Sequence, residues 1–322
     1  MPKVYITGRI PNIGVNLLKS NGFSVEQNTS SSNLTKDQLK DIFSKFDGVL
    51  TLMTDKVDRD VIKSSSKNLK VIANYAVGFD NIDVLEAKRH NIVVTNTPGV
   101  ASESVAEHTF TLILACAKKI IEADKYVRLG RYQGWDPMAF ISPQIWGKTI
   151  GIVGLGKIGT FVAQIAHGGF RMNILYYDPS RSEDFELLTE AKYCDLETLL
   201  ANSDIVTLHC PLNDKTRHLI GKRELKKMKN SAILINTSRG PVIDEDALIW
   251  ALKSGEIAAC GLDVFEHEPN IAQELLVLNN VILTPHSASA TKETRESMSR
   301  IAAENIIAVF EGKEPFGLVK AS

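Results

Sequence analysis

The stretch GIVGLGKIG at residues 151–159 limits the fold of this chain more than any other. Lys148–Val153 reads as a short buried strand, Gly154-Leu155-Gly156-Lys157-Ile158-Gly159 gives G-x-G-x-x-G, and Thr160–Ala166 reads as a helix. A strand, a glycine turn and a helix in that order begin a parallel α/β unit. The first glycine allows the tight turn, the second lets backbone approach a pyrophosphate, and the third permits close helix–strand packing. The helix N-terminus then offers free N–H groups and a positive dipole end to an anion. A bare glycine motif is weak evidence. Here a second strand, Asn173–Tyr177, ends at Asp178, 19 residues after Gly159 (178−159), close to the spacing of a ribose-binding acid. A dinucleotide is therefore expected on Gly154, Gly156, Lys157, Ile158 and Gly159, with Asp178, Pro179 and Ser180 at the second turn. A carboxylate at 178 accepts hydrogen bonds from a ribose 2′-hydroxyl and repels a 2′-phosphate, so NADH is expected over NADPH. Such charged hydrogen bonds contribute roughly 1.5–3 kcal/mol. Arg181, three residues on, reads as a solvated side chain.

The rest of the chain fits a two-domain α/β plan. At 322 residues it is long enough for two cores. Short β-rich runs at Lys3–Thr7, Phe23–Gln27, Gly48–Leu52, Lys70–Ala73 and Ile92–Val94 alternate with helical patterns, one opened by a Thr35/Gln38 capping box. Asn96–Gly99 breaks the pattern like a hinge, and one long amphipathic helix is expected over Ser102–Gly130. Arg131–Pro143 follows as a Pro- and aromatic-rich arm or loop, in which Trp135 reads as loop packing, with a lid over a bound ligand as the second reading. A second α/β series runs from Lys148 to Thr284, and a final helix at Thr291–Gly312 has nowhere to continue in that sheet.

Three residues stand after apolar runs in the second series. Arg239 follows Ala232–Asn236, Glu268 follows Ala258–Val264, and His286 follows Val281–Thr284. Ligands of open α/β sheets bind at the carboxyl ends of the strands, so the three should converge beside the nicotinamide. A guanidinium, a carboxylate and an imidazole there can orient an acid, stabilise an oxyanion and move a proton. Glu266 could compete with Glu268 for this place. The other histidines, His108 and His218 among them, show no convergent partners in sequence.

Composition excludes several classes. With 37 basic and 38 acidic residues there is no basic field for nucleic acid. No run approaches the ~18 apolar residues of a membrane span. The start, MPKVYITGRIP, reads as a strand and not a signal peptide, and Cys116, Cys194, Cys210 and Cys260 read as buried reduced thiols. A cytoplasmic protein is expected. No Cys/His cluster suggests a metal.

NYAVGFDNID, TNTPGV, GKTIGIVGLGKIG, HCPL, INTSRGPVIDE, GLDVFEHEP and TPH occur in an order that resembles the D-isomer-specific 2-hydroxyacid dehydrogenases over essentially the whole length. GRIP, TLMTDKVD, IANYAVGFDNID and EADKYVR look most like the glyoxylate (hydroxypyruvate) reductases of that family. The resemblance implies two doubly wound parallel-sheet domains. One is a flavodoxin-like substrate domain, 1–98 plus 286–322, and the other a Rossmann nucleotide domain, 99–285. It implies reduction of a small 2-oxo acid in a homodimer, with closure about the 96–100 and 285–290 crossings. Arg239 matches the substrate-binding arginine, His286 the acid/base histidine and Glu268 its partner. Val77 and Gly78 match a loop whose N–H groups hold the substrate carboxylate, and Leu52 a position near its variable end. Thr109, Cys210, Pro211, Thr216, Thr237, Ser238, Asp263 and Ala288, with Arg239 and His286, match cofactor-side positions. Ser287 departs from the PHIGSAT common among the reductases and bears on substrate choice. Phosphoglycerate dehydrogenases and the dinucleotide-sensing corepressors called C-terminal binding proteins are the alternative relatives; the latter keep the same triad.

Overall fold

The computed structural model describes residues 1–30 and 32–320. Two compact units emerge, Met1–Ala101 together with the stretch from Ala290 onward, and Ser102–Ser289.

In the first unit, β1 (Lys3–Ile6), β2 (Ser24–Gln27), β3 (Gly48–Thr51), β4 (Val71–Asn74) and β5 (Val93–Thr95) pair in the order β2-β1-β3-β4-β5, all parallel. That is the flavodoxin-like order. β3 and β4 are buried along their whole length, as a parallel sheet covered on both faces requires. One face packs Val4, Ile6 and Leu50 against Leu18 of the helix Asn12–Ser20 and Met298, Ala302 and Ile306 of the helix Lys292–Phe310. The other packs Val49, Ile72 and Val94 against Leu39 and Phe43 of the helix Lys36–Lys45. That helix carries the Thr35/Gln38 capping box. The last helix, capped by Thr291, thus finds its apolar partners in this unit.

In the second unit, β6 (Thr149–Val153), β7 (Asn173–Tyr177), β8 (Lys192–Tyr193), β9 (Ile205–Leu208), β10 (Ile233–Asn236), β11 (Ala259–Leu262) and β12 (Val281–Leu283) form one parallel sheet in the order β12-β11-β10-β9-β6-β7-β8. The order reverses between β6 and β9, which makes the Rossmann switch point. Two departures from the sequence reading have physical causes. The expected helix over 102–130 is two helices, Ser102–Lys118 and Ile120–Arg128, because Lys119 takes a left-handed conformation (φ 52°) that ends the first. The helix after the glycine turn starts within the motif, at Lys157, and runs to Phe170. The short edge strand β8 and the buried β9 carry no alternating pattern that the sequence could disclose.

Candidate active site

The sheet of the second unit delivers its candidate residues at one edge, the carboxyl ends of its strands. Gly154 ends β6 with φ +97°, and a Cβ there would lie 2.7 Å from the backbone N of Cys210, so neither the conformation nor the space admits another residue. Open space surrounds Gly156, where backbone can approach a ligand. Gly156 caps the helix Lys157–Phe170 without a side-chain hydrogen bond, so the orphan N–H groups of the first turn face the mouth of the turn. Asp178, after β7, accepts hydrogen bonds from Leu155 N (2.8 Å) and Ser180 N (3.0 Å), which hold its carboxylate beside the glycine turn. An open glycine, a helix N-terminus and a braced acid at a switch point fit a dinucleotide. Arg181 is solvent-exposed, as expected, and its guanidinium also forms two bonds to Glu186, Nε to Oε1 at 2.9 Å and Nη2 to Oε2 at 2.8 Å. Glu186 also accepts from Tyr176, and these partners, Arg181 first, hold its carboxyl down at about 2.

Cys210, at the end of β9, is buried, and burial pushes its thiol up to about 11. The Thr216 hydroxyl donates to Pro211 O (2.6 Å) and closes the turn that follows. Buried Thr109 shares a hydrogen bond with Thr237 (3.0 Å), tying the first long helix to the end of β10. Asn236 arranges the next turn. Its Oδ1 accepts from Ser238 N (3.0 Å) and Ser238 Oγ (2.8 Å), and its Nδ2 donates to Arg239 O (2.9 Å). Arg239 Nη1 donates to Ser238 O at 2.8 Å. Gly240 then passes so close to the next loop that a Cβ would sit 1.9 Å from the Phe265 carbonyl. This contact sets the Arg239 turn against the segment carrying Glu268.

Glu268 Oε2 lies 2.9 Å from His286 Nδ1, and its Oε1 accepts from Phe265 N (3.0 Å). Burial would raise the Glu268 carboxyl. The hydrogen bond and charge of His286, the Phe265 N–H and the Arg239 charge outweigh it and hold the group below the usual carboxylate range. Glu266 is directed elsewhere, to His218 Nε2 (2.6 Å) and Glu245 N (3.0 Å). His286 itself has φ +52°, uncommon for a residue with a Cβ. The turn around it is fixed by Asp263. The Asp263 backbone carbonyl accepts from His286 N (2.8 Å), and its carboxylate accepts from Ser287 N, Ala288 N (both 2.8 Å) and the Thr284 hydroxyl (2.6 Å). His108 joins them, 3.0 Å from Thr284 Oγ1 and 3.4 Å from Asp263. Burial would raise the Asp263 carboxyl, yet these donors, His108 first, keep it low.

This cluster around the buried Asp263 leaves no local signal in the sequence. His108 looked isolated because its partners lie far along the chain; only its place on an inward face of a helix could have pointed to it. The Asp263 carboxylate is engaged within the protein, which makes it a brace of the His286 turn. Cys116 and Cys194, expected to be buried, are only partly so, and Trp135, expected to pack its loop, is 85% exposed.

A family model described as D-isomer specific 2-hydroxyacid dehydrogenase, NAD binding domain, matches residues 110–288. The glyoxylate reductase of Thermococcus litoralis is 47% identical over 322 residues, covering 99% of this chain and 96% of that protein. The glyoxylate reductase of Korarchaeum cryptofilum is 46% identical over 320 residues, covering 99% and 96%. A Thermus thermophilus crystal structure superposes with a TM-score of 0.92 at 36% identity, covering 99% of this chain and 100% of that one. An NADPH-dependent glyoxylate/hydroxypyruvate reductase of Sinorhizobium meliloti, in complex with NADP and malonate, gives 0.85 at 31% identity, covering 99% and 96%.

Proposed function

The chain belongs to the D-isomer-specific 2-hydroxyacid dehydrogenases, and from that membership we propose that it reduces glyoxylate and hydroxypyruvate with NADH. The observation that carries the catalytic reading is the His286–Glu268 hydrogen bond of 2.9 Å at the strand ends, with the Arg239 charge felt by the same carboxylate. The full-length likeness to two glyoxylate reductases supports the substrate.

A bound nicotinamide dinucleotide supplies the hydride that reduces the 2-oxo carbon. Arg239 holds the substrate carboxylate, to which its planar fork is matched, and stabilises negative charge on the carbonyl oxygen. Glu268 fixes Nδ1 of His286, which leaves Nε2 as the nitrogen that gives its proton to that oxygen. Such a positioned acid contributes typically about 10²–10⁴ in rate. Asp263 and His108 keep the imidazole in place through the 284–288 turn. Leu52, Val77 and Gly78, in the first unit, are proposed substrate contacts; the 77–78 loop would offer backbone N–H groups to the carboxylate.

NADH is favoured because Asp178 sits braced beside the turn while Arg181, the cation nearest in sequence, is engaged by Glu186. The S. meliloti relative uses NADPH, so this preference is a property to measure in this chain. We also propose a homodimer formed through residues 120–146. The helix Ile120–Arg128 buries none of its residues, and Ile120, Ile121, Val127, Tyr132, Trp135 and Ile141 are exposed. So dense an apolar surface marks an interface with a second copy. No helix of the described residues is long and apolar enough to cross a membrane.

A panel of 2-oxo acids assayed with each cofactor tests the assignment. The expected result is highest kcat/KM for glyoxylate or hydroxypyruvate with NADH. Absence of turnover on every 2-oxo acid would remove it.

A further inference from the structure

We propose that Asn74, Asn81 and Asn96 are positioning residues that turn the N–H groups of the 77–79 loop outward and lock that loop to the Leu52 turn. This rests on the assignment of Leu52, Val77 and Gly78 to substrate binding. Three consecutive carbonyls of the loop are tied back into the first unit. Ala76 O accepts from Thr97 N (2.9 Å), Val77 O from Asn96 Nδ2 (2.7 Å) and Gly78 O from Asn74 Nδ2 (2.8 Å). In a trans peptide the C=O and the following N–H point in opposite directions. Pulling these carbonyls inward therefore turns the N–H groups of Val77, Gly78 and Phe79 the other way. Val77 and Phe79 are both exposed, so the loop carries its donors on an open surface.

Asn74 also links this loop to a second one. It lies fully buried at the end of β4, where its Oδ1 accepts from the Thr51 hydroxyl (3.1 Å) and its Nδ2 reaches Asn81 Oδ1 (3.1 Å). Asn81 Nδ2 donates in turn to Leu52 O (3.2 Å), Asp55 O (3.1 Å) and Asn74 Oδ1 (3.3 Å). The other side of Leu52 is fixed as well. Its N–H donates to Asp55 Oδ2 (2.7 Å), and that buried carboxylate also takes the Thr7 hydroxyl. Leu52 is thus held by both its carbonyl and its amide, and the Asn74–Asn81 pair joins it to Gly78. A side-chain network of this kind, paired around the buried Asn74, rigidifies what it holds. The consequence is specific: these amides set how well a 2-oxo acid is bound, and they take no part in proton or hydride transfer.

The test is steady-state kinetics of Asn81→Ala, Asn96→Ala and the nearly isosteric Asn81→Asp, which keeps the acceptor and loses the donors. Each should raise KM for glyoxylate about tenfold, the scale of one lost hydrogen bond. Both kcat and NADH affinity, read by fluorescence titration, should stay within about twofold. The signature differs from partial unfolding, which lowers the active fraction and leaves KM unchanged. Variants with native KM, or with losses confined to kcat, overturn the proposal while the native chain's activity keeps the functional reading. A native chain inactive on all 2-oxo acids removes both. Asn81→Asp, whose bulk is retained, decides the matter if Asn81→Ala does not fold.

Discussion

At the residue scale, the roles proposed for Arg239 and His286 predict different kinetics. With Arg239 proposed to serve both carboxylate binding and the charged transition state, Arg239→Ala should raise KM and lower kcat together, and lysine should restore only part because a point charge replaces a bidentate fork. Glu268→Gln should lower kcat with little change in KM, since it removes the charge that orients His286 through a 2.9 Å contact. Steady-state kinetics of each variant check this; an Arg239→Ala change confined to KM would leave its transition-state role unsupported. His209 makes a separate, thermodynamic prediction. Its Nδ1 is enclosed without a hydrogen-bond partner among the described residues, Nε2 sits 2.9 Å from Thr207 Oγ1, and burial pushes the imidazole down to about 3 from 6.5. The unfolded chain therefore takes up a proton that the folded chain refuses between those values. Stability should fall as pH drops below 6.5, by at most about 1.4 kcal/mol per pH unit for this one group. Urea midpoints of the native chain and His209→Gln between pH 7 and 5 should diverge in slope; parallel curves would refute this.

Among elements, turns decide more than strands. Gly240→Ala should destabilise the chain by roughly 2 kcal/mol or more, because backbone cannot yield to a Cβ at 1.9 Å without moving the Arg239 turn. Thermal unfolding with an activity assay checks it, and a fully active variant of native stability would show that the 265–266 loop is free to move. This scale also shows what sequence can disclose. The strands before Arg239 and His286 were legible as apolar runs, and the glycine turn was legible because its three positions have steric requirements. The break at Lys119 was not, since nothing in AKKII departs from a helical pattern. Nor was the Asp263–Thr284–His108 cluster, whose members share no local spacing. Long-range polar pairing has no period to read.

For the whole molecule, the apolar surface at 120–146 and the reductase activity are the two properties to measure. Sedimentation at micromolar concentration should give about twice the chain mass of 35.5 kDa, and charged replacements at Ile121 and Trp135 should halve it. A clean native monomer would contradict the proposed interface. The Asn96–Gly99 break and the start of the last helix are the sequence features nearest the ends of the two units, at Ala101 and Ala290. The role of Trp135 was not legible in sequence, because an exposed aromatic and a packed one look alike until burial is known. His286, set by Glu268, is proposed to protonate a 2-oxo acid during hydride reduction on one face. Reduction of hydroxypyruvate with NADH by the native chain and by His286→Ala, with the product resolved on a chiral column, tests it most directly. The native chain should give the D-hydroxy acid, and the variant a kcat about 10²–10⁴ lower. An L-product, or a variant with native kcat, would contradict it.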